Sequence, residues 1–276
     1  MSLFIAMTAL TTALTNDEYR SAKAWSKSDL DSAHKSTALI EWNKNSPTDG
    51  SESIELGTDV HCAILEPDVF AKDYVKMPEF GVSKAGREKA ESFSNAMQGK
   101  IILTTPQYEK VIAMRDSVLA HPVANRLLTK LGVSEASIFG EINGIKVKAR
   151  PDRIVDTSHY GYMLVDVKKT ADIDKFKWSV RDFRYHVQAA YYSDIYKQWL
   201  KEHNKDYKGE PIRFVFVVVG EKRSIGRHPV RVFELPEETV DIGRSEYLED
   251  LELVREYEEF GCNLEIESLD MRGIIR

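Results

Sequence analysis

The sequence predicts an α/β fold, a mixed central sheet flanked by helices. Three observations predict it. "ASIFGEI" and "IKVKARPDRIV" are alternating segments joined by Asn143-Gly144, the strongest short hairpin signal. "RFVFVVVG" (213–220) is nearly all apolar, as expected of a strand buried on both faces. Between "YMLVDVK" (162–168) and that run lies "RYHVQAAYYSDIYKQWL" (184–200), which carries Gln188, Tyr192, Ile195 and Trp199 on one helical stripe. The middle of the chain thus reads helix, strand, strand, strand, helix, strand, the order of a sheet covered by helices.

The elements follow in order. Residues 1–15 are mildly apolar, lack the positively charged start of a signal peptide and are too short to span a membrane. They are expected to form an N-terminal arm on a single domain spanning 1–276. "WSKSDLDSAHKSTALIEW" (25–42) predicts a helix with Ser28 and Asp31 at capping-box spacing and Leu30, Ala33, Ala38 and Ile40 inward. "NSPTDGSES" (45–53) is a loop by composition. "IELGTDVHCAILEP" (54–67) sets Leu56, Val60, Ala63 and Ile64 on one stripe and is expected to stop at Pro67. Within 71–105, "SKAGREKAESFSNAMQGK" reads as a basic loop leading into a helix. "PQYEKVIAMRDSVLAHP" (106–122) is an amphipathic helix with proline at its start and just past its end. "PVRVFEL" adds an outer strand. Residues 237–260 form an acidic terminal helix with Tyr247, Leu248, Leu251 and Val254 inward.

The chain has 276 residues, 42% of them hydrophobic and 30% charged, enough apolar material for a full core without staples. Cys62 and Cys262 are far apart and follow no zinc spacing, which suits a reduced, cytoplasmic protein. The net charge of −6 argues weakly against nucleic acid as a partner. Its distribution argues the other way. From Glu234 to Asp270 only Arg244 and Arg255 oppose the acids. Positive charge gathers at Lys84, Arg87 and Lys89, at Lys146, Lys148, Arg150 and Arg153, at Lys168 and Lys169, and in "EKRSIGRHPVR" (221–231). A single basic cluster is most often a solvated face. Several beside an acid-rich tail form a more specific pattern.

One stretch carries chemistry. "ARPDRIVDTSHYGYMLVDVKKT" (149–170) places Asp152 after a proline and Asp166 and Lys168 inside an apolar strand. Strand alternation puts Leu164, Asp166 and Lys168 on one face and Met163, Val165 and Val167 on the other. An antiparallel neighbour can bring Asp152 close to them. Two converging carboxylates repel unless a cation lies between them, and their oxygens suit Mg²⁺ or Mn²⁺. A lysine beside them can steady charge building on a phosphate. Taken alone, Asp166 and Lys168 are a structural ion pair more often than a site.

A proline-aspartate, about a dozen residues, then D-V-K closing a hydrophobic strand resembles the signature of the PD-(D/E)XK nuclease superfamily. Gln188 and Tyr192 in "QAAYY" resemble the Q-x-x-x-Y motif of its RecB-like branch, sharing a helix face by their spacing. His61 in "LGTDVHCAILEP" resembles that branch's metal-binding histidine, and Glu135 the extra acid of some of its exonucleases. "WSKSDLD", "RPDRI", "DVKKTADIDKF" and "FRYHVQAAYYSDIY" are similar to the nuclease domain of the RecE (exodeoxyribonuclease VIII) family, from about residue 16 to 233.

The resemblance implies a restriction-endonuclease-like core. It implies that Asp152, Asp166 and His61, with the Val167 carbonyl, bind Mg²⁺, with Mn²⁺ able to substitute. Lys168 would orient the attacking water, and Gln188 and Tyr192 would line the site. It further implies digestion of one strand of duplex DNA from an end, 5′→3′, leaving 3′ tails for a single-strand annealing recombination protein. Relatives form rings, which favours a homo-oligomer and a tetramer in particular. Two other readings stay open at this point: a structure- or site-specific endonuclease of the same superfamily, and a non-catalytic DNA-binding protein on the same fold.

Overall fold

A computed structural model describes residues 8–45, 50–130, 132–157 and 161–263. The described chain opens with β1 (Ala9–Thr11), α1 (Asn16–Ser21), α2 (Lys27–Lys35), α3 (Ala38–Asn45) and α4 (Glu52–Leu65). Then come α5 (Pro67–Asp73), β2 (Tyr74–Lys76), α6 (Lys84–Ala96) and β3 (Ile101–Leu103), with β2 and β3 paired parallel. α7 (Thr105–Ala120) and α8 (Pro122–Asn125) lead into β4 (Val133–Ser134), β5 (Ser137–Ile142), β6 (Ile145–Ala149), β7 (Arg153–Thr157) and β8 (Gly161–Thr170). The chain closes with α9 (Phe176–Asp182), α10 (Tyr185–His203), β9 (Arg213–Gly220), β10 (Val230–Glu234) and α11 (Glu237–Phe260).

The central sheet is mixed, in the order β10-β9-β8-β7-β4, with β8 and β9 parallel and the other pairs antiparallel. The alternation expected of β8 holds. Leu164 packs with Phe214, Phe216 and Val218 of β9 on the face covered by α10, which α11 and α2 back. Met163, Val165 and Val167 pack with Val215, Val217 and Val219 on the other face, under α4 and α7. β9 is therefore apolar on both sides because both sides are core.

The run 145–155 differs from the single strand expected. It is two strands, β6 and β7, in two sheets: β6 pairs with β5, which also carries β1, and β7 pairs with β8. The break is Arg150-Pro151-Asp152. Proline has no N–H to give a ladder, so the chain leaves one sheet there and enters the other. That switch sets Asp152 one residue before Arg153, which faces Val165, so Asp152 lies across from Asp166.

Other boundaries also move. The cap of α2 is Ser26, whose side chain accepts from the Asp29 N–H while Asp29 returns the bond, so the box starts two residues earlier than expected. Asp31 pairs with Lys27 and Arg184 instead. Pro67 does not simply stop α4; it opens α5 as an N1 proline. The segment from Lys84 is helix from the start, capped by Ser83. Of the N-terminal arm, residues 9–11 form a strand on β5, and residues 1–7 lie outside the described residues, as do Asp270 and the rest of 264–276. The expected exposed face of β6 is also corrected. Lys148 is only 4% exposed, and its ammonium donates to the carbonyls of Tyr19, Arg20 and Ala22. Alternation tells which side a residue takes, and here α1 covers that side. No helix among the described residues is long and apolar enough to cross a membrane.

Candidate active site

Four elements converge at the carboxyl half of β8. β8 supplies Asp166 and Lys168, the loop before β7 supplies Asp152, α10 supplies Gln188 and α4 supplies His61. Glu135 comes from the turn between β4 and β5. Its backbone is left-handed, with φ 53°, a conformation that costs about 1–3 kcal/mol for a residue other than glycine. Its N–H donates to the Asp152 carbonyl at 3.1 Å, which ties the two acids together.

His61 Nε2 lies 3.0 Å from Asp152 Oδ1 and 3.7 Å from Glu135 Oε1. One ligand atom from each of the three falls within 4.8 Å of the others. Asp152 Oδ2 accepts from the Val167 N–H at 2.6 Å. Asp166 Oδ1 accepts from Gln188 Nε2 at 2.6 Å, and its Oδ2 is 2.8 Å from Lys168 Nζ in an ion pair. The Lys168 ammonium sits 4.5 Å from the centre of the Tyr185 ring, a cation–π contact. Arg150 is not a free surface cation: it donates to the carbonyls of Glu135 and Leu14 and lies 3.7 Å from Glu135 Oε2.

The electrostatics show acids crowded together. Burial and the Asp152 charge push Asp166 up to about 6, against Lys168. Burial and Asp152 push Glu135 up to about 7, against His61. Burial alone would lower the His61 imidazole, but Asp152 and Glu135 outweigh it and raise it to about 9. Burial would raise Asp152, yet His61, Lys168 and the Val167 N–H together hold it below the ordinary carboxylate range. Burial would lower Lys168, but Asp166 and then Asp152 hold it above its ordinary range.

One buried carboxylate oxygen here, Glu135 Oε1, makes no hydrogen bond, whereas Asp166 Oδ2 is met by the Lys168 ammonium. Buried charge without full partners is expensive and marks a missing one. The donor set, hard oxygens with one imidazole, suits a divalent cation. His61, Glu135 and Asp152 can therefore hold one, with the Asp166 carboxylate alongside.

The residues singled out from sequence thus gather with two differences. Tyr192 shares the face of Gln188 but makes no hydrogen bond to the carboxylates among the described residues; its ring packs beside Tyr191 and Phe214, and burial first pushes its hydroxyl well up. Val167 meets Asp152 through its N–H. Sequence reasoning missed Tyr185. Its signal was present, since it sits three residues before Gln188 on the same helix face.

Comparison with known proteins bears on the family and the fold. A family model described as a PDDEXK-like domain of unknown function (DUF3799) matches residues 22–260. No curated protein matches. Among solved structures, one named "Putative exonuclease" from Eubacterium rectale superposes with a TM-score of 0.63 at 12% identity, covering 96% of this chain and 99% of that one. A phage related exonuclease from Haemophilus somnus 129PT reaches 0.31 at 13% identity, over 66% of this chain and 90% of that one. The fold is restriction-endonuclease-like, and the match of family and fold over nearly the whole described chain places it: the chain belongs to the PDDEXK-like family DUF3799.

Proposed function

We propose that the chain is a metal-dependent exodeoxyribonuclease of the RecE type. It digests one strand of linear duplex DNA 5′→3′ and leaves 3′ single-stranded tails for homologous recombination by strand annealing. The observation that carries the reading is the convergence of Asp152, Asp166, Lys168 and Gln188 with His61 and Glu135 around an unsatisfied Glu135 oxygen. The RecE-type motifs that surround these residues in the sequence supply the polarity and the partner.

His61, Glu135 and Asp152, with Asp166, would hold the cation, Mg²⁺ or Mn²⁺ in its place. Bound there, it supplies Lewis acidity to a phosphodiester oxygen and acidifies the attacking water. The chain's own residues do the rest. Lys168 faces Asp166 and keeps its proton, so a fixed positive charge stands where a phosphate under attack gains negative charge. The Tyr185 ring beneath the ammonium and the Asp166 carboxylate beside it hold that charge in place. Gln188 fixes the rotamer of Asp166 through its amide. Tyr192 packs behind Gln188 and keeps that helix face seated.

The proposed partners are duplex DNA ends, a single-strand annealing protein, and copies of the chain itself in a ring, a tetramer by resemblance. Cytoplasmic residence fits DNA processing and two unpaired cysteines. The test is digestion of linear duplex labelled at either end, beside a closed circle, with Mg²⁺. Early loss of the 5′ label from linear DNA and an intact circle are expected. Nicking of the circle would replace this reading with an endonuclease.

A further inference from the structure

The chain builds the same tight turn twice, with different residues. At 143–144 the hairpin of β5 and β6 turns through Asn143 (φ 51°) and Gly144 (φ 82°). At 225–226 the hairpin of β9 and β10 turns through Ile225 (φ 50°) and Gly226 (φ 76°), closed by hydrogen bonds in both directions between Ser224 and Arg227. A two-residue turn with both central residues at positive φ favours Asn-Gly, because asparagine tolerates the left-handed region. Isoleucine does not: its branched Cβ makes that backbone an outlier. Packing offers nothing in return, since Ile225 is 101% exposed. A strained backbone that presents an apolar side chain wholly to solvent points to something outside the chain.

The surroundings say what that is. Residues 222–231 hold Lys222, Arg223, Arg227 and Arg231 and no acid. Lys222 and Arg227 are exposed and make no ion pair among the described residues. The hairpin is held in shape from inside. Buried His228 donates from Nδ1 to the Gly220 carbonyl at 2.9 Å, and its Nε2 accepts from Arg223 Nε at 3.2 Å. It is also joined to the candidate site. Gly220 faces Thr170, Val218 faces Lys168, and the N–H groups of Glu221 and Lys222 donate to the carbonyls of Thr170 and Ala171. Ile225 is seven residues beyond Val218, so it lies within roughly 30 Å of Lys168.

We infer that the 221–229 hairpin is a DNA-contacting finger, which sets Ile225 into a groove of duplex DNA while Lys222 and Arg227 meet the flanking phosphates. An apolar wedge between cations is a chemistry suited to a duplex groove. The shared sheet end places that duplex where its phosphate can reach Lys168. The inference rests on the nuclease reading for its substrate, but it is tested without cleavage.

The test is binding of a fluorescent duplex by the full chain in chelator, with melting temperature measured alongside. Ile225→Asn and Ile225→Gly relieve the turn, so the melting temperature is expected to hold or rise. Both are expected to weaken duplex binding about ten-fold, the order of one buried apolar side chain. Asn143→Ile puts the same strain in the other hairpin. It is expected to lower the melting temperature and leave duplex affinity unchanged. Duplex affinity unchanged in both Ile225 variants would overturn the inference. So would a fall in their melting temperature, which would make Ile225 a structural residue. The nuclease reading fails separately: a wild-type chain that binds duplex and never cleaves it leaves the finger standing.

Discussion

Two charge clusters sit on this fold, and they are built differently. The first is the set around Asp152, Asp166 and Lys168. The second joins α2, α10 and α11 through Arg184. There the guanidinium reaches Asp31 at 3.1 Å, Glu246 at 3.1 Å and Asp250 at 2.7 Å. His34 completes Asp250 at 2.9 Å, and His186 completes Glu246 at 2.9 Å. Gly243 lets α11 come this close, since a Cβ there would meet the His186 carbonyl at 2.3 Å. None of the carboxylate oxygens of this second cluster is buried without a hydrogen bond, whereas the first cluster leaves Glu135 Oε1 so. A network that serves only the fold closes on itself. The first leaves a buried carboxylate oxygen open, the condition of a site that awaits a cation.

The contrast can be broken by four measurements, ordered by the free energy each should move. Arg184→Ala should have the largest effect. It takes one partner from each of three carboxylates and leaves Asp250, which is only 1% exposed, with His34 alone, which should cost about 3–5 kcal/mol of stability. Chemical denaturation reads it. A loss as small as that of a surface substitution would show that the second cluster is not a closed network.

Lys168→Ala should act on rate instead. It should lose roughly 100-fold or more in DNA cleavage, about 2.7 kcal/mol, while duplex binding stays near normal. Near wild-type cleavage would reduce Lys168 to a structural partner of Asp166.

Much of this contrast was legible in the sequence, but unevenly. Asp166, Lys168 and Gln188 were singled out by their resemblance to nuclease motifs, and strand and helix periodicity fixed the face each one takes. Asp152 followed from the proline before it, although the change of sheet at Arg150-Pro151-Asp152 did not. The Arg184 network was not legible, since its members come from three helices far apart in the chain and only packing joins them. The surroundings of β6 were not legible for the same reason. Nothing in its alternation shows that three carbonyls near α1 receive the Lys148 ammonium.

The third measurement adds a cation. Mn²⁺ at about 100 times its dissociation constant should stabilise the wild type by roughly 2.7 kcal/mol. Asp152→Asn should lose most of that gain, and Arg184→Ala should keep it. Equal stabilisation of wild type and Asp152→Asn would move the cation elsewhere.

The fourth is the pH dependence of the metal-free protein. Glu135 rises from 4.5 to about 7 on folding, so its contribution is full below 4.5 and is lost as pH climbs through 7. His61 rises from 6.5 to about 9, so its contribution is full below 6.5 and is lost as pH climbs through 9. Both signs agree: metal-free stability should fall by about 1–2 kcal/mol between pH 6 and 9, discounted for partial exposure. Saturating Mn²⁺ should flatten that slope. A slope unchanged by the cation would separate these two groups from its site.

The most direct measurement of the central claim is calorimetric titration of Mn²⁺ into the wild type and into Asp152→Asn, in two buffers of different ionisation enthalpy. A cation that replaces the protons on His61 and Glu135 must release them. The account predicts saturable binding to the wild type with proton release that grows as pH falls from 8 to 6.5, and little binding to Asp152→Asn. Equal binding to both proteins, or no binding to the wild type, would contradict it.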